Sequence, residues 1–148
     1  GGDQLLDIQR LSILSSLGSL RIERAPQLSD FSVIADISQL SALELNSLES
    51  LTNLDFLESQ DRLERLTLQR SRNIADFSGL AFLLDAIDIR LNYLGSLDLE
   101  PLAELDNLTQ LELRGNDLTS ISDLEFLSGS RFFYLARWTQ REKWCRCS

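Results

Sequence analysis

A chain of 148 residues with 43% hydrophobic content has room for one core rather than two, and it holds neither an apolar run of membrane-spanning length nor a basic-then-apolar leader. Its formal charge of −9 repels phosphate backbones, so nucleic acid is not expected as a partner. The absence of histidine removes the commonest general base and metal ligand; with no phosphate loop, nucleophile elbow or carboxylate metal cluster in the sequence, neither an enzyme nor a cofactor or metal site is expected.

The chain has no methionine and opens on Gly1 and Gly2, which reads as the product of processing upstream. Leu5, Ile8, Leu11, Leu14 and Leu17 step by three and match the segment one repeat later, so the chain opens midway through a repeat. Residues 1–16 are therefore expected to be an N-terminal cap or a partial repeat. Either Asp3 to Ser16 caps the array, or earlier repeats precede it, because an open end exposes core and strand edge.

From residue 17 the pattern Leu-x-x-Leu-x-(Leu/Ile) recurs as Leu17/Leu20/Ile22, Leu40/Leu43/Leu45, Leu63/Leu66/Leu68, Leu84/Ile87/Ile89 and Leu108/Leu111/Leu113. The starts lie 23, 23, 21 and 24 residues apart, and a degenerate sixth copy follows at Phe133 and Leu135. Each copy alternates at period two, as a strand does. Between copies the apolar residues come every third position, as at Leu28, Phe31, Ile34 and Ile37 and again at Leu118, Ile121, Leu124 and Leu127, which predicts a 3₁₀-like return arm. Asp30, Asn53, Asp76, Ser96 and Ser120 precede these arms and are read as caps whose side chains accept backbone N–H groups. One repeat is thus a short strand, a turn and a return arm, and residues 17–138 hold about five and a half repeats.

The stretch from Leu108 through Asn116 to Leu127 resembles the leucine-rich-repeat family, in the 22-residue class of internalin-like and SDS22-like proteins. The resemblance covers roughly residues 5 to 138. It implies an α/β solenoid with a parallel concave sheet and short 3₁₀ or helical segments on the convex side, acting as a protein-interaction scaffold. The family's turn asparagine is matched to Asn92 and Asn116, while Ala25, Leu48 and Ser71 fill the other slots.

On the concave face the outward strand positions form columns. The central one is read as Arg21, Glu44, Thr67, Asp88, Glu112 and Tyr134, the next as Glu23, Asn46, Gln69, Arg90 and Arg114, and a flanking one contains Arg65, Gln110 and Phe132. Asp88, Arg90, Glu112, Arg114, Phe132 and Tyr134 form the candidate protein-binding patch, because arginine and aromatic residues are enriched at interface hot spots and mixed charge sets register. The bland alternative is a solvated sheet kept neutral by cross-strand pairs.

Arg131, Arg137, Arg141, Lys143 and Arg146 crowd the last eighteen residues, and after residue 138 comes a basic tail, 139–148. Cys145 and Cys147, the only cysteines, are poorly spaced to bridge one another. A protein partner is therefore expected, with three possible settings: a module of a bacterial surface or secreted protein, a cytoplasmic regulatory or inhibitory subunit of an enzyme, or self-assembly through the N-terminal edge.

Overall fold

A computed structural model describes residues 7–14 and 16–118. Five strands, β1 (Ser19–Glu23), β2 (Ala42–Asn46), β3 (Arg65–Gln69), β4 (Asp88–Asn92) and β5 (Gln110–Glu112), pair in parallel and in chain order. Consecutive strands alternate with five-residue 3₁₀ segments at Gln9–Ile13, Ser32–Asp36, Asp55–Ser59, Ser78–Phe82 and Glu100–Glu104. Neighbouring strands pack on each other and neighbouring 3₁₀ segments do the same. The chain therefore climbs as a solenoid, with the sheet on one side and the return arms on the other.

The step of three in the return arms has a direct cause. Ile34 N–H donates to the Phe31 carbonyl, Ile37 to Ile34, and Leu40 to Ile37. The same chain of bonds runs from Leu54 through Leu57 and Gln60 to Leu63, from Phe77 through Leu80 and Leu83 to Ala86, and from Leu99 through Leu102 and Leu105 to Leu108. At three residues per turn every third side chain falls on one face, and that face is buried: Ile34, Ile37, Leu57, Leu80 and Leu83 are fully enclosed. One polar residue joins this face. Gln60 is 2% exposed, and its Nε2 donates to the Ile34 carbonyl of the preceding coil at 2.7 Å, which keeps a buried amide from being left unpaired.

The same bonds correct the expected register of the fourth repeat. Ala86, not Leu84, continues the column of Leu40, Leu63 and Leu108, and Ile89 and Leu91 are the buried strand residues. Leu84 is 54% exposed and Ile87 40%. The repeat starts are thus Leu17, Leu40, Leu63, Ala86 and Leu108, spaced 23, 23, 23 and 22 residues apart. An alanine in a leucine column weakened the true match, while two surface apolar residues two positions earlier imitated it.

Two further expectations move with this correction. Asn92 does not occupy the turn slot, which belongs to Leu94; Asn116 does occupy it, its Nδ2 donating to the Leu91 carbonyl at 2.6 Å and its Oδ1 accepting the Leu94 N–H at 2.8 Å. In an earlier coil Ser71 performs half of that duty, its hydroxyl accepting the Leu48 N–H at 3.1 Å. The arm of the fifth coil is opened by Asp98, whose carboxylate accepts the Glu100 N–H at 3.0 Å, and not by Ser96. Asp30, Asn53 and Asp76 make the same bond to the residue two positions on, and Asp7 does so in the first described coil. These are Asx turns set two residues before the 3₁₀ segment begins.

Ser32, through its hydroxyl and then its backbone N–H, holds the Asp30 carboxyl below the usual aspartate range. Ser78, through its backbone N–H first, does the same for Asp76. A folded-state pKa below the unfolded value near about 3.9 adds stability that is fully present above that pH and is lost as pH falls through the folded value. Asp30→Ser and Asp76→Ser, which keep a cap oxygen without the charge, are expected to flatten the fall in melting temperature between pH 5 and pH 3, as followed by circular dichroism.

Each strand hands on to a residue in the left-handed region: Arg24 (φ 52°), Ser47 (57°), Arg70 (52°), Tyr93 (57°) and Gly115 (67°). Only the fifth is glycine, so four side chains carry a backbone cost of roughly 1–2 kcal/mol each. Arg24 is exposed, and Arg24→Gly is expected to raise the urea midpoint by an amount equivalent to about 0.5–1 kcal/mol, after the extra flexibility of glycine in the unfolded chain is subtracted.

Phe132, Tyr134, Ser120, the sixth copy at Phe133 and Leu135, both cysteines and the tail 139–148 lie outside the described residues, as do residues 1–6 of the expected cap. No helix among the described residues is long and apolar enough to cross a membrane.

Candidate concave protein-binding face

The register of the sheet fixes the outward columns. Ser19, Ala42, Arg65, Asp88 and Gln110 form one flank; Arg21, Glu44, Thr67, Arg90 and Glu112 form the centre. On the other flank Glu23, Asn46, Gln69 and Asn92 lie side by side. Asp88 therefore sits on the flank of Arg65 and Gln110 rather than in the centre, and Arg90 sits in the centre rather than in the column of Glu23, Asn46 and Gln69, each one column over from the expected placement. The change matters chemically: Glu112 faces Arg90 rather than another carboxylate.

Arg90 organises the cluster. Its Nε and one terminal nitrogen reach the two oxygens of Asp88 at 3.1 and 2.7 Å, a bidentate pair made possible because residues two apart on a strand share a face. Its Nε also lies 4.0 Å from Glu112. Asn92, only 3% exposed, joins the next residue to the group: its Nδ2 donates to Glu112 at 3.1 Å and its Oδ1 accepts the Arg114 N–H at 2.8 Å. The structure thus brings Asp88, Arg90, Glu112 and Arg114 together. Arg114 Nε has no hydrogen-bond acceptor among the described residues.

A second cluster stands at the other end of the described sheet. Arg21 pairs with Glu23 on its own strand and with Glu44 across the ladder at 3.3 Å. The hydrogen bond from Arg21, with its positive charge close by, holds the Glu23 carboxyl below its ordinary range. Between the clusters Asn46 Nδ2 links Glu23 (3.4 Å) and Gln69 (3.2 Å). The surface is a graded array: charged pairs at each end, neutral polar groups between.

Three residues of this region were invisible to sequence reasoning. Asn92 was hidden by the misplaced register, although it lies two full repeats beyond Asn46 and even spacing would have found it. Arg70 and Tyr93 belong to the left-handed column along the rim, with the Arg70 guanidinium carbon 5.5 Å from the Tyr93 ring centroid, a cation–π approach. Tyr93 also covers Gly115, where an added Cβ would sit against the ring edge. No periodic apolar signal marks such a column.

Among the described residues no group of three or more His, Cys, Asp or Glu side chains could hold a metal ion. No family profile matches the chain. No curated protein matches it either. Among solved structures the fold is similar to that of internalin C2 from Listeria monocytogenes str. 4b F2365, with a TM-score of 0.72 and 26% identity over 89% of this chain. The chain is an internalin-like leucine-rich-repeat solenoid. It spans 57% of the length of internalin C2, a little over half. The leucine-rich-repeat fold supports a protein-interaction role in general terms, and the parallel sheet with its 3₁₀ return arms carries that likeness.

Proposed function

We propose that this internalin-like solenoid is a protein-interaction module whose partner docks on the concave sheet, centred on Asp88, Arg90, Glu112 and Arg114. One observation carries the reading: two mixed-charge clusters held by side-chain bonds stand at the ends of a face that crosses five hydrogen-bonded strands, and Ala42 is its one apolar position. Arg90 is held by Asp88 while its side chain stays 47% exposed, so a partner carboxylate would meet a guanidinium already ordered. Exposed ion pairs of this kind contribute only about 0–1 kcal/mol to folding, so changing them tests binding without dismantling the fold.

The partner would be a protein with alternating acidic and basic groups, and steering by charge would make its association rate fall with salt. The test compares the parent with an Arg90→Glu/Glu112→Arg variant, which preserves net charge, in cross-linking and capture from the source cell and its surroundings. A protein bound by the parent and lost by the variant, with unchanged circular dichroism, supports the concave face. Equal capture by both places the site elsewhere. Sedimentation of the parent over a range of concentrations decides self-association through the N-terminal edge: a mass that rises with concentration supports it, and a constant monomer mass removes it.

A further inference from the structure

Among the described residues large apolar side chains stand exposed in two places: Ile13 (79%) and Leu14 (44%) on the first return arm, and a cluster of three on the fourth coil. Phe82 (45% exposed), Leu84 (54%) and Ile87 (40%) stand where the preceding coil carries Ser59, Asp61 and Glu64 and the following coil carries Glu104, Asp106 and Thr109. Single exposed apolar side chains are ordinary, but three in one coil, at positions their neighbours fill with polar groups, make a local patch. The backbone holds them at one corner. Leu84 N–H donates to the Phe82 carbonyl, the Asn107 side chain donates to the Leu84 carbonyl, and Ile87 is stitched to Glu64 before it and Thr109 after it. Asp85 completes a surround with Asp61, Glu64 and Asp106, all exposed, in which the exposed Arg62 is the one cation and acid outnumbers it four to one.

The chain itself contains a complementary segment. Residues 139–148 read TQREKWCRCS, with Trp144 between Lys143 and Arg146 and with Glu142 as the one acid. Leu118 and Trp144 are separated by 26 positions, a length of chain that can reach about 90 Å when extended, against a spacing of about 5 Å between neighbouring coils. Reach does not limit the contact. A second copy docking patch to patch would bring two acidic surrounds together, which opposes association.

We propose that the basic tail 139–148 docks in cis on this corner, Trp144 lying on Phe82, Leu84 and Ile87 while Arg141, Lys143 and Arg146 face Asp61, Glu64, Asp85 and Asp106. The tail is then a built-in cover for the apolar patch of the fourth coil, on a surface separate from the concave face. A partner that recognises either the patch or the tail would have to displace the other.

The only tryptophans are Trp138 and Trp144, so the full chain carrying Trp138→Phe reports on Trp144 alone. Its emission is expected to lie well to the blue of its position in urea, with quenching by acrylamide reduced several-fold. Leu84→Glu/Ile87→Glu on the same background should move emission to the red and restore quenching while far-ultraviolet circular dichroism stays unchanged. Arg141→Glu/Lys143→Glu, which leaves the solenoid untouched, should do the same and serves as the second variant. Emission already at the unfolded position, or unmoved by both variants, overturns the proposal. A blue shift that disappears on dilution assigns the tail to a second copy and overturns docking in cis.

Discussion

Gly79→Ala is expected to destabilise the solenoid by about 3 kcal/mol or more, a large share of the roughly 5–15 kcal/mol that holds a domain together. A Cβ at Gly79 would stand 2.2 Å from the Leu54 carbonyl oxygen and 2.8 Å from its carbon. Both atoms are backbone, so no side-chain rotation can relieve the contact, and the third and fourth coils must part. Phe56 and Pro101 take the same slot in the adjacent coils, so the need for glycine belongs to this coil alone. Gly79 lies in the 3₁₀ segment Ser78–Phe82 and is not among the residues of positive φ. The substitution therefore tests space and not backbone freedom, and helix propensity, which favours alanine, works in the opposite direction. Gly18→Ala supplies the comparison, since nothing lies within 4 Å of its added Cβ. Urea unfolding should show a midpoint far below that of the parent for Gly79→Ala and one close to it for Gly18→Ala; equal midpoints would refute the close approach.

Leu83→Ala and Leu84→Ala should differ by several kcal/mol although the residues are neighbours of one type. Leu83 is fully buried and stacks in the column of Ile37, Gln60 and Leu105. Truncating it removes transfer energy and leaves a cavity, at about 2–5 kcal/mol. Leu84 is 54% exposed, and its truncation should stay within about 0.5 kcal/mol. The pair decides the register of the fourth coil, because the spacing that begins a repeat at Leu84 requires the opposite order. Thermal melts followed by circular dichroism are sufficient: a midpoint lowered more by Leu84→Ala than by Leu83→Ala would return the coil to the spacing of 21 and 24.

Period carried most of the architecture into the sequence. Apolar residues at every third position specify a 3₁₀ arm, because three residues per turn is the only winding that puts them on one face. Alternation at Leu43/Leu45 or Leu66/Leu68 specifies a strand with one buried side. The Asx residues Asp30, Asn53 and Asp76 were equally legible, since their bonds reach only two positions along the chain. Local interactions leave local marks.

What the tertiary structure alone decided lies between coils. Ala86 fills a leucine slot because stacking enforces the column across coils, whereas a template weighted by leucine passes over it toward Leu84. With the register set, Asp88 and Arg90 each shift by one column, Asn92 leaves the turn for the flank of Gln69, and Glu112 acquires a cation opposite it. The cation–π approach of Arg70 to Tyr93 and the glycine required at position 79 depend on side chains one coil apart. Sequence determined the shape of one coil through its own hydrogen bonds; the surface that a partner would meet is set by how each coil is aligned on the next, and a shift of two residues there rearranges every outward charge.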